Sequence, residues 1–313
     1  MDEMQWDVVV IGGGAAGLSA ALMLGRARRR VLVLDAGAPR NRFAAHMHGT
    51  LGHDGKPPHE LLASGRGEIE VHSGEIWDAT AVATRRDGDG FLIETADSRT
   101  VLARTILVAT GARDELPEIH GLAERWGSGV AVCPYCDGYE VGNGRIGILA
   151  TGPGSVFQAQ LLRQWSDQVI YLTHTADAPI GEEREAFDAR GIRIENGPIT
   201  RVLSVGNELS GVEFDDGRIV ELDAIFTVSR LIPLDTPLRQ LDAERSEHPW
   251  GSFATVDRSG KTSINGVWAA GNVVNAMANV AVSMGDAALA AGAINHALVL
   301  DDINRALARS ETR

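Results

Sequence analysis

The run Cys133-Pro134-Tyr135-Cys136-Asp137-Gly138 places two thiols two residues apart, with a carboxylate beside them. In the first turn of a helix this spacing brings both sulfurs within disulfide reach. The helix N-terminus also favours the thiolate, the nucleophile of disulfide exchange. Asp137 is then a candidate proton carrier for the leaving thiol. The competing reading is half a zinc site. Zinc ordinarily takes four protein ligands, yet these are the only two cysteines in the chain and no histidine pair with ligand spacing lies nearby.

A second constellation is Gly12-x-Gly14-x-x-Gly17, between the apolar run Val8–Ile11 and a helical pattern, with Asp35 closing the next apolar run. The first glycine makes a turn, the second lets a pyrophosphate approach backbone amides, and the third packs helix on strand. The helix N-terminus offers partial positive charge to phosphates, and Asp35 offers an acceptor to a ribose. The bland alternative is a glycine-rich turn without a ligand. The motif alone leaves FAD and NAD equally open. A third run, Gly266-Val-Trp-Ala-Ala-Gly271-Asn272, ends a strand on glycine; it reads either as a contact for a flavin diphosphate or ribityl chain or as a plain strand end.

The elements that must position these residues occur twice. The first block runs strand, glycine turn, helix (Leu18, Ala21 and Leu22 at helical spacing) and the strand Val31–Leu34. A hairpin at Ala81–Thr84 and Phe91–Thr95 follows, turning at Asp87–Gly90. A third strand near Thr100–Leu102 and a closing strand from Thr105 complete it. The second block has Gly144–Leu149, a helix through Gln164 and the strand Gln168–Leu172. Its meander spans Ile199–Val205, Leu209–Phe214 and Arg218–Leu222, and Ala224–Val228 closes it. This repeat predicts an α/β protein of two Rossmann-like, three-layer ββα nucleotide-binding domains. The expected boundaries give a discontinuous first domain, 1–117 with 246–313, and a second domain, 118–245, carrying the cysteines.

With 313 residues the chain is long enough for two such domains, and 36 glycines suit many tight turns. A formal charge of −13 argues against nucleic acid or an anionic membrane as partner. The most apolar stretch, Val280–Leu300, contains Asp286, Asn295 and His296, which a bilayer crossing would penalise. Because the first apolar run leads straight into glycines, no signal peptide is expected, and the protein is placed in the cytoplasm. There a close cysteine pair is expected to be catalytic or metal-binding.

On these residues the chain resembles the low-molecular-weight thioredoxin reductases along nearly its whole length. The matching elements are Gly12-Gly-Gly-Ala-Ala-Gly17, Ala109-Thr110-Gly111-Ala112, Cys133-x-x-Cys136-Asp137-Gly138 and Ala269-Ala-Gly271-Asn272-Val. The resemblance implies a thioredoxin reductase-like fold, an FAD domain built from both chain ends, a central nucleotide domain and a homodimer. It implies that Cys136 faces the flavin, Cys133 exchanges with substrate and Asp137 is the acid/base. The FAD contacts it implies are Gly12, Gly14, Ala16, Gly17, Asp35, Ala81, Thr110, Gly111, Ala112, Gly271, Asn272, Val280 and Ala281. Asn272 replaces the family's aspartate, keeping a hydrogen-bonding group but losing a charge.

The second fingerprint departs further. Where the family has Gly-x-Gly-x-x-Ala, this chain has Ala150-x-Gly152-x-x-Ser155, with Pro153 inside the turn. The arginines that would clamp a 2′-phosphate are missing: the chain reads His174-Thr-Ala-Asp177-Ala-Pro, with no arginine until Arg184. Both changes argue against NADPH. The pattern is similar to the FAD-dependent dithiol oxidases of the holomycin and gliotoxin type, as is the segment Asn275–Asp286. That resemblance implies that a small-molecule dithiol reduces the Cys133–Cys136 disulfide, that electrons pass to FAD, and that O₂ is the acceptor. It also puts His46, His48 and His53 near the flavin ring. His48 and His53, flanked by glycines, are candidate bases for the substrate thiol; the alternative is loop or packing histidines. Two other readings stand beside it. One is reduction of a thioredoxin-like protein with NAD(P)H or another electron donor, and the other is a flavin-binding protein without catalysis.

Overall fold

A computed structural model describes residues 6–152, 154–248 and 250–311; Pro153, named above as part of the second glycine turn, lies outside the described residues. The chain forms two compact units. The first comprises described residues of 1–42, 58–113 and 231–313; the second comprises 43–57 and 114–230.

In the first unit, the strands Trp6–Ile11, Val31–Asp35, Glu75–Asp78, Thr100–Val108 and Val267–Ala269 pair in parallel. The near-continuous apolar sequences of Val31–Asp35 and Val267–Ala269 follow from burial on both faces. Side chains alternate along each strand. Val8, Val10, Val31 and Val33 pack with the helix Ala15–Arg26 and the long helix Val280–Glu311. Val9, Ile11, Leu32 and Leu34 face the opposite layer with Phe91, Ile93 and Val101. The three-layer arrangement is therefore legible in one six-residue strand.

Two strands expected from sequence, near Thr100–Leu102 and from Thr105, are one nine-residue strand, Thr100–Val108. Its first half pairs antiparallel with Gly90–Thr95, and its second half pairs parallel with Trp6–Ile11 and Val267–Ala269. Ala103 and Arg104, between the two expected strands, simply continue the extended backbone from one layer into the other.

In the second unit, a five-stranded parallel sheet takes the order Arg193–Glu195, Val169–Leu172, Ile146–Leu149, Ala224–Thr227, Val130–Ala131. One face packs Ile146, Ile148 and Tyr171 against Ala159, Leu162 and Phe187. The other packs Leu149, Leu172 and Ile225 against Val202, Val212 and Phe214 of the antiparallel meander Ile199–Val205, Glu208–Phe214, Ile219–Glu221. The helix after the glycine turn runs Gly154–Leu162, stopping short of the expected Gln164.

The boundaries differ from those expected. Residues 231–245 add Leu231, Leu238 and Ala243 to the cores of the first unit. Segment 43–57 groups with the second unit, away from the flanking sequence on either side. It is a hairpin held by Met47 N–H to Lys56 O (2.9 Å) and Gly55 N–H to Met47 O (2.9 Å). A Cβ at Gly127 would meet the Phe43 carbonyl at 2.7 Å, so the segment lies directly on the second unit's backbone. Such seating depends on side-chain pairing, which carries no periodicity to read.

Candidate functional site

In the first unit the glycine turn is built by close backbone approach. Gly12 has φ +113°, and a Cβ there would sit 2.4 Å from Ala109 O; a Cβ at Gly17 would sit 1.8 Å from Gly12 O. Gly14 meets nothing within 4 Å, so the turn is open on that side. Gly14 is also the N-cap of the helix Ala15–Arg26, which has no side-chain cap and no acid in its first turn. Uncapped amides with no competing carboxylate are what a pyrophosphate needs.

The other expected cofactor residues are distributed around this turn. Thr110 Oγ1 is buried without a partner among the described residues, an orphaned hydroxyl that a bound ligand would satisfy. Gly111 has φ +70° and its carbonyl accepts from Leu234 N–H at 3.0 Å. A Cβ at Gly271 would come 3.1 Å from Ala16 Cβ, so the third motif closes on the first helix turn. Val280 and Ala281 open the long helix, whose start is capped by Asn279 Oδ1 accepting from Val282 N–H at 2.9 Å. Ala81 begins the hairpin opposite Thr95, and Ala112 packs on Leu231 and Phe253. This set of open amides and an orphaned hydroxyl fits FAD.

Two of the expected cofactor residues also have side-chain partners within the protein. Asp35 Oδ2 accepts from Arg66 Nη1 at 2.7 Å and Oδ1 accepts from Gly37 N–H at 3.0 Å. Arg66, on the helix Pro58–Val71, was not singled out by any motif; its other nitrogen reaches Asp78 at 2.6 Å. Asn272 Nδ2 donates to Asn275 O (3.0 Å) and Ala278 O (2.8 Å), fixing the following loop, while Oδ1 accepts from Arg40 Nη1 (3.3 Å). Its amide hydrogens therefore shape the loop.

In the second unit Cys133 is the N-cap of the helix Pro134–Val141, with Cys136 N–H donating to Cys133 O at 3.0 Å. Neither cysteine is in a disulfide, and Cys136 Sγ donates to Cys133 Sγ at 2.7 Å. That bond, aided by the N–H groups of Cys136 and Tyr135, brings the Cys133 thiol down to about 7, against opposing burial and the Asp137 charge. The lowered value favours the Cys133 thiolate, the nucleophile of disulfide exchange.

Burial first, and then the neighbouring Glu140 charge, push Asp137 up to about 6, with His48 opposing. A carboxyl that titrates there exchanges protons readily under physiological conditions. The helix is seated by Gly138, where a Cβ would meet the Trp165 ring at 3.0 Å. Tyr135 meets the same ring edge-on, with centroids 5.7 Å apart. Gln158 Nε2 holds the preceding strand through Val132 O at 2.9 Å.

The hairpin 43–57 adds the histidines. His48 Nε2 lies 3.4 Å from Glu140 Oε1, and Nδ1 lies 3.6 Å from Asp54 Oδ1. His53 is half-buried in the same hairpin with its backbone tied to Thr50 and Lys56; among the described residues no carboxylate lies within ion-pair distance of it. His46 is exposed. The structure therefore brings together Cys133, Cys136, Asp137 and His48, with Glu140 added. Glu140 had no signal beyond standing four residues after Cys136. Among the described residues, no cluster of three or more His, Cys, Asp or Glu side chains is arranged to hold a metal ion.

The family model for pyridine nucleotide-disulphide oxidoreductases matches residues 6–291. The chain belongs to that family. Thioredoxin reductase tcpT of Claviceps purpurea is 32% identical over 278 residues, 85% of this chain and 86% of the relative. The crystal structure of HlmI superposes with a TM-score of 0.93 at 41% identity, covering 100% of this chain and 98% of that one. An oxidoreductase from Agrobacterium tumefaciens gives a TM-score of 0.90 at 37% identity over 95% and 99% of the two chains. The protein is therefore a thioredoxin reductase-like flavoenzyme acting on sulfur groups, and FAD is the cofactor of its family. Among the described residues no helix is long and apolar enough to cross a membrane.

Proposed function

We propose that this flavoenzyme oxidises a small-molecule dithiol to its intramolecular disulfide, with O₂ as final acceptor and hydrogen peroxide as co-product. The observation that carries this reading is that polar groups of Thr151 in the second glycine turn are already engaged. Thr151 N–H donates to Ser155 Oγ at 3.1 Å, and Thr151 Oγ1 donates to Val228 O at 2.6 Å. Ser155 is fully buried and Ala150 nearly so. An amide that a dinucleotide's phosphates would need is already satisfied within the loop.

The clamp arginines are missing, and the next arginines along the chain are engaged elsewhere. Arg184 pairs with Asp188, Arg190 bonds Gln160, and Arg193 pairs with Glu195. His174, at φ +50°, turns inward so that Nδ1 accepts from Ile199 N–H at 3.0 Å. A 2′-phosphate would find no ready bidentate partner, which disfavours NADPH as reductant.

In this reading the resting pair is a disulfide. A substrate thiolate attacks Cys133 Sγ, breaking the Cys133–Cys136 bond and expelling Cys136 as thiolate. The second substrate thiolate then attacks the sulfur joined to Cys133, forming the product disulfide and releasing Cys133 as thiolate. The two substrate protons go to His48 and Asp137, and two electrons remain on the cysteine pair. FAD, when bound by the first unit, supplies a two-electron acceptor that O₂ regenerates. The net reaction converts a dithiol and O₂ to a disulfide and hydrogen peroxide.

Anaerobic flavin bleaching tests the proposal, with NADPH, NADH or dithiothreitol added to separate samples. Bleaching by dithiol alone, reversed by air with peroxide release, is expected. The name thioredoxin reductase borne by relatives such as tcpT favours the opposite direction, towards a thioredoxin-like protein. Rapid bleaching by NADPH would establish that direction and defeat the oxidase reading.

A further inference from the structure

Glu140 stands four residues after Cys136 and three after Asp137 on the helix Pro134–Val141, so all three lie along one side of it. Its Oε1 is 3.4 Å from His48 Nε2, while the other ring nitrogen is 3.6 Å from Asp54 Oδ1. Asp54 is itself fixed by accepting the Gly49 N–H at 2.8 Å. The imidazole is only 21% exposed and faces a carboxylate at each nitrogen. It is clamped between the hairpin that carries it and the helix that carries the cysteines.

We infer that Glu140 is a positioning residue for thiol–disulfide exchange, which fixes His48 on the cysteine helix and joins it to Asp137 in one proton-sharing group. Each exchange step needs a proton removed from an incoming thiol or returned to a leaving one, in whichever direction the pair runs. Glu140 therefore serves the family chemistry itself and does not rest on the dithiol oxidase reading. The charged groups facing Asp137 are Glu140 on its own helix and His48 on the hairpin. The adjoining helix, Gly154–Leu162, carries no titratable side chain. Those facing His48 are Glu140 and Asp54, and Asp137 in turn faces Cys133.

Two variants of the FAD-loaded enzyme separate the parts of this role. E140Q keeps a polar group beside His48 Nε2 but removes the charge, whereas E140A removes both. The measured quantity is the rate at which the reduced pair exchanges with an aromatic disulfide, from pH 4.5 to 8.5. It depends neither on the natural substrate nor on O₂, so it stands apart from the test of the oxidase reading. E140A is expected to lower the exchange rate roughly 10-fold, and E140Q to recover most of that loss. In both variants the acid limb that follows Asp137 moves down by about half a pH unit or more, because a neighbouring negative charge is gone. A carboxyl-carbon NMR titration of Asp137 should show the same shift. An E140A enzyme exchanging at the wild-type rate would overturn the inference, as would an unmoved acid limb in E140Q. Should E140A fail to fold, the E140Q limb decides alone.

Discussion

Cys136 Sγ donates its hydrogen to Cys133 Sγ across 2.7 Å, so the two sulfurs of the redox pair are chemically unlike. Cys133 stands at the N-cap with helix amides turned toward it and carries the thiolate. Cys136 sits half-buried inside the first turn. The pair therefore has an attacking member and a resolving member. C136S should leave Cys133 able to attack but nothing to resolve it. Mixing C136S with an aromatic disulfide is expected to give a stable adduct at Cys133, detected as a mass increase on the peptide carrying it. C133S should give no adduct at the remaining thiol on the same timescale.

The ionisation of Cys133 has a measurable consequence. Its thiol lies near 7 where an ordinary cysteine lies near 9, and the Asp137 charge holds it from falling further. Iodoacetamide alkylation of the reduced enzyme should follow a midpoint near pH 7. Removing the opposing charge in D137N should move that midpoint to lower pH by about half a unit. A midpoint that rises in D137N would contradict the assignment.

Asp137 also couples pH to stability. Its value rises from 3.8 unfolded to about 6 folded, so the folded state binds the extra proton between those limits. Its contribution is present below about pH 4 and is lost as pH rises through 6. The cost at neutral pH is on the order of 2 kcal/mol. D137N should therefore be more stable than the wild type at pH 7 and lose that advantage at pH 4. Urea unfolding at the two pH values checks it, while exchange activity in D137N falls at both.

The cofactor cradle separates two kinds of glycine. G17A would push a Cβ against the Gly12 carbonyl at 1.8 Å, whereas G14A meets open space. G17A is expected to lose both melting temperature and bound flavin. G14A should fold with a near-normal melting temperature yet retain less FAD, because its methyl enters the space left for phosphates. Flavin absorbance per protein, with a thermal melt alongside, distinguishes them.

The sequence by itself determined the local chemistry. Two thiols at helical-turn spacing, a carboxylate beside them and a glycine turn between an apolar strand and a helix are short-range facts. Backbone geometry converts them directly into a redox pair and a phosphate cradle. The doubly buried strands were equally legible, since an apolar run such as Val8–Ile11 has no exposed face to encode. The single strand Thr100–Val108 was read as two because pairing on different sides along its length leaves no mark in composition.

Only the tertiary structure decided which distant groups serve the cysteines. His48 and His53 are alike in sequence, each beside glycine, yet among the described residues only His48 pairs with Glu140. Arg66 reaches Asp35 from a helix that no motif announced. Ser155 stands where the family has alanine, and its hydroxyl accepts the Thr151 amide, a contact no motif announced. In each case the partner lies across a fold of the chain, where a side chain's reach in space, not its spacing in sequence, sets the contact.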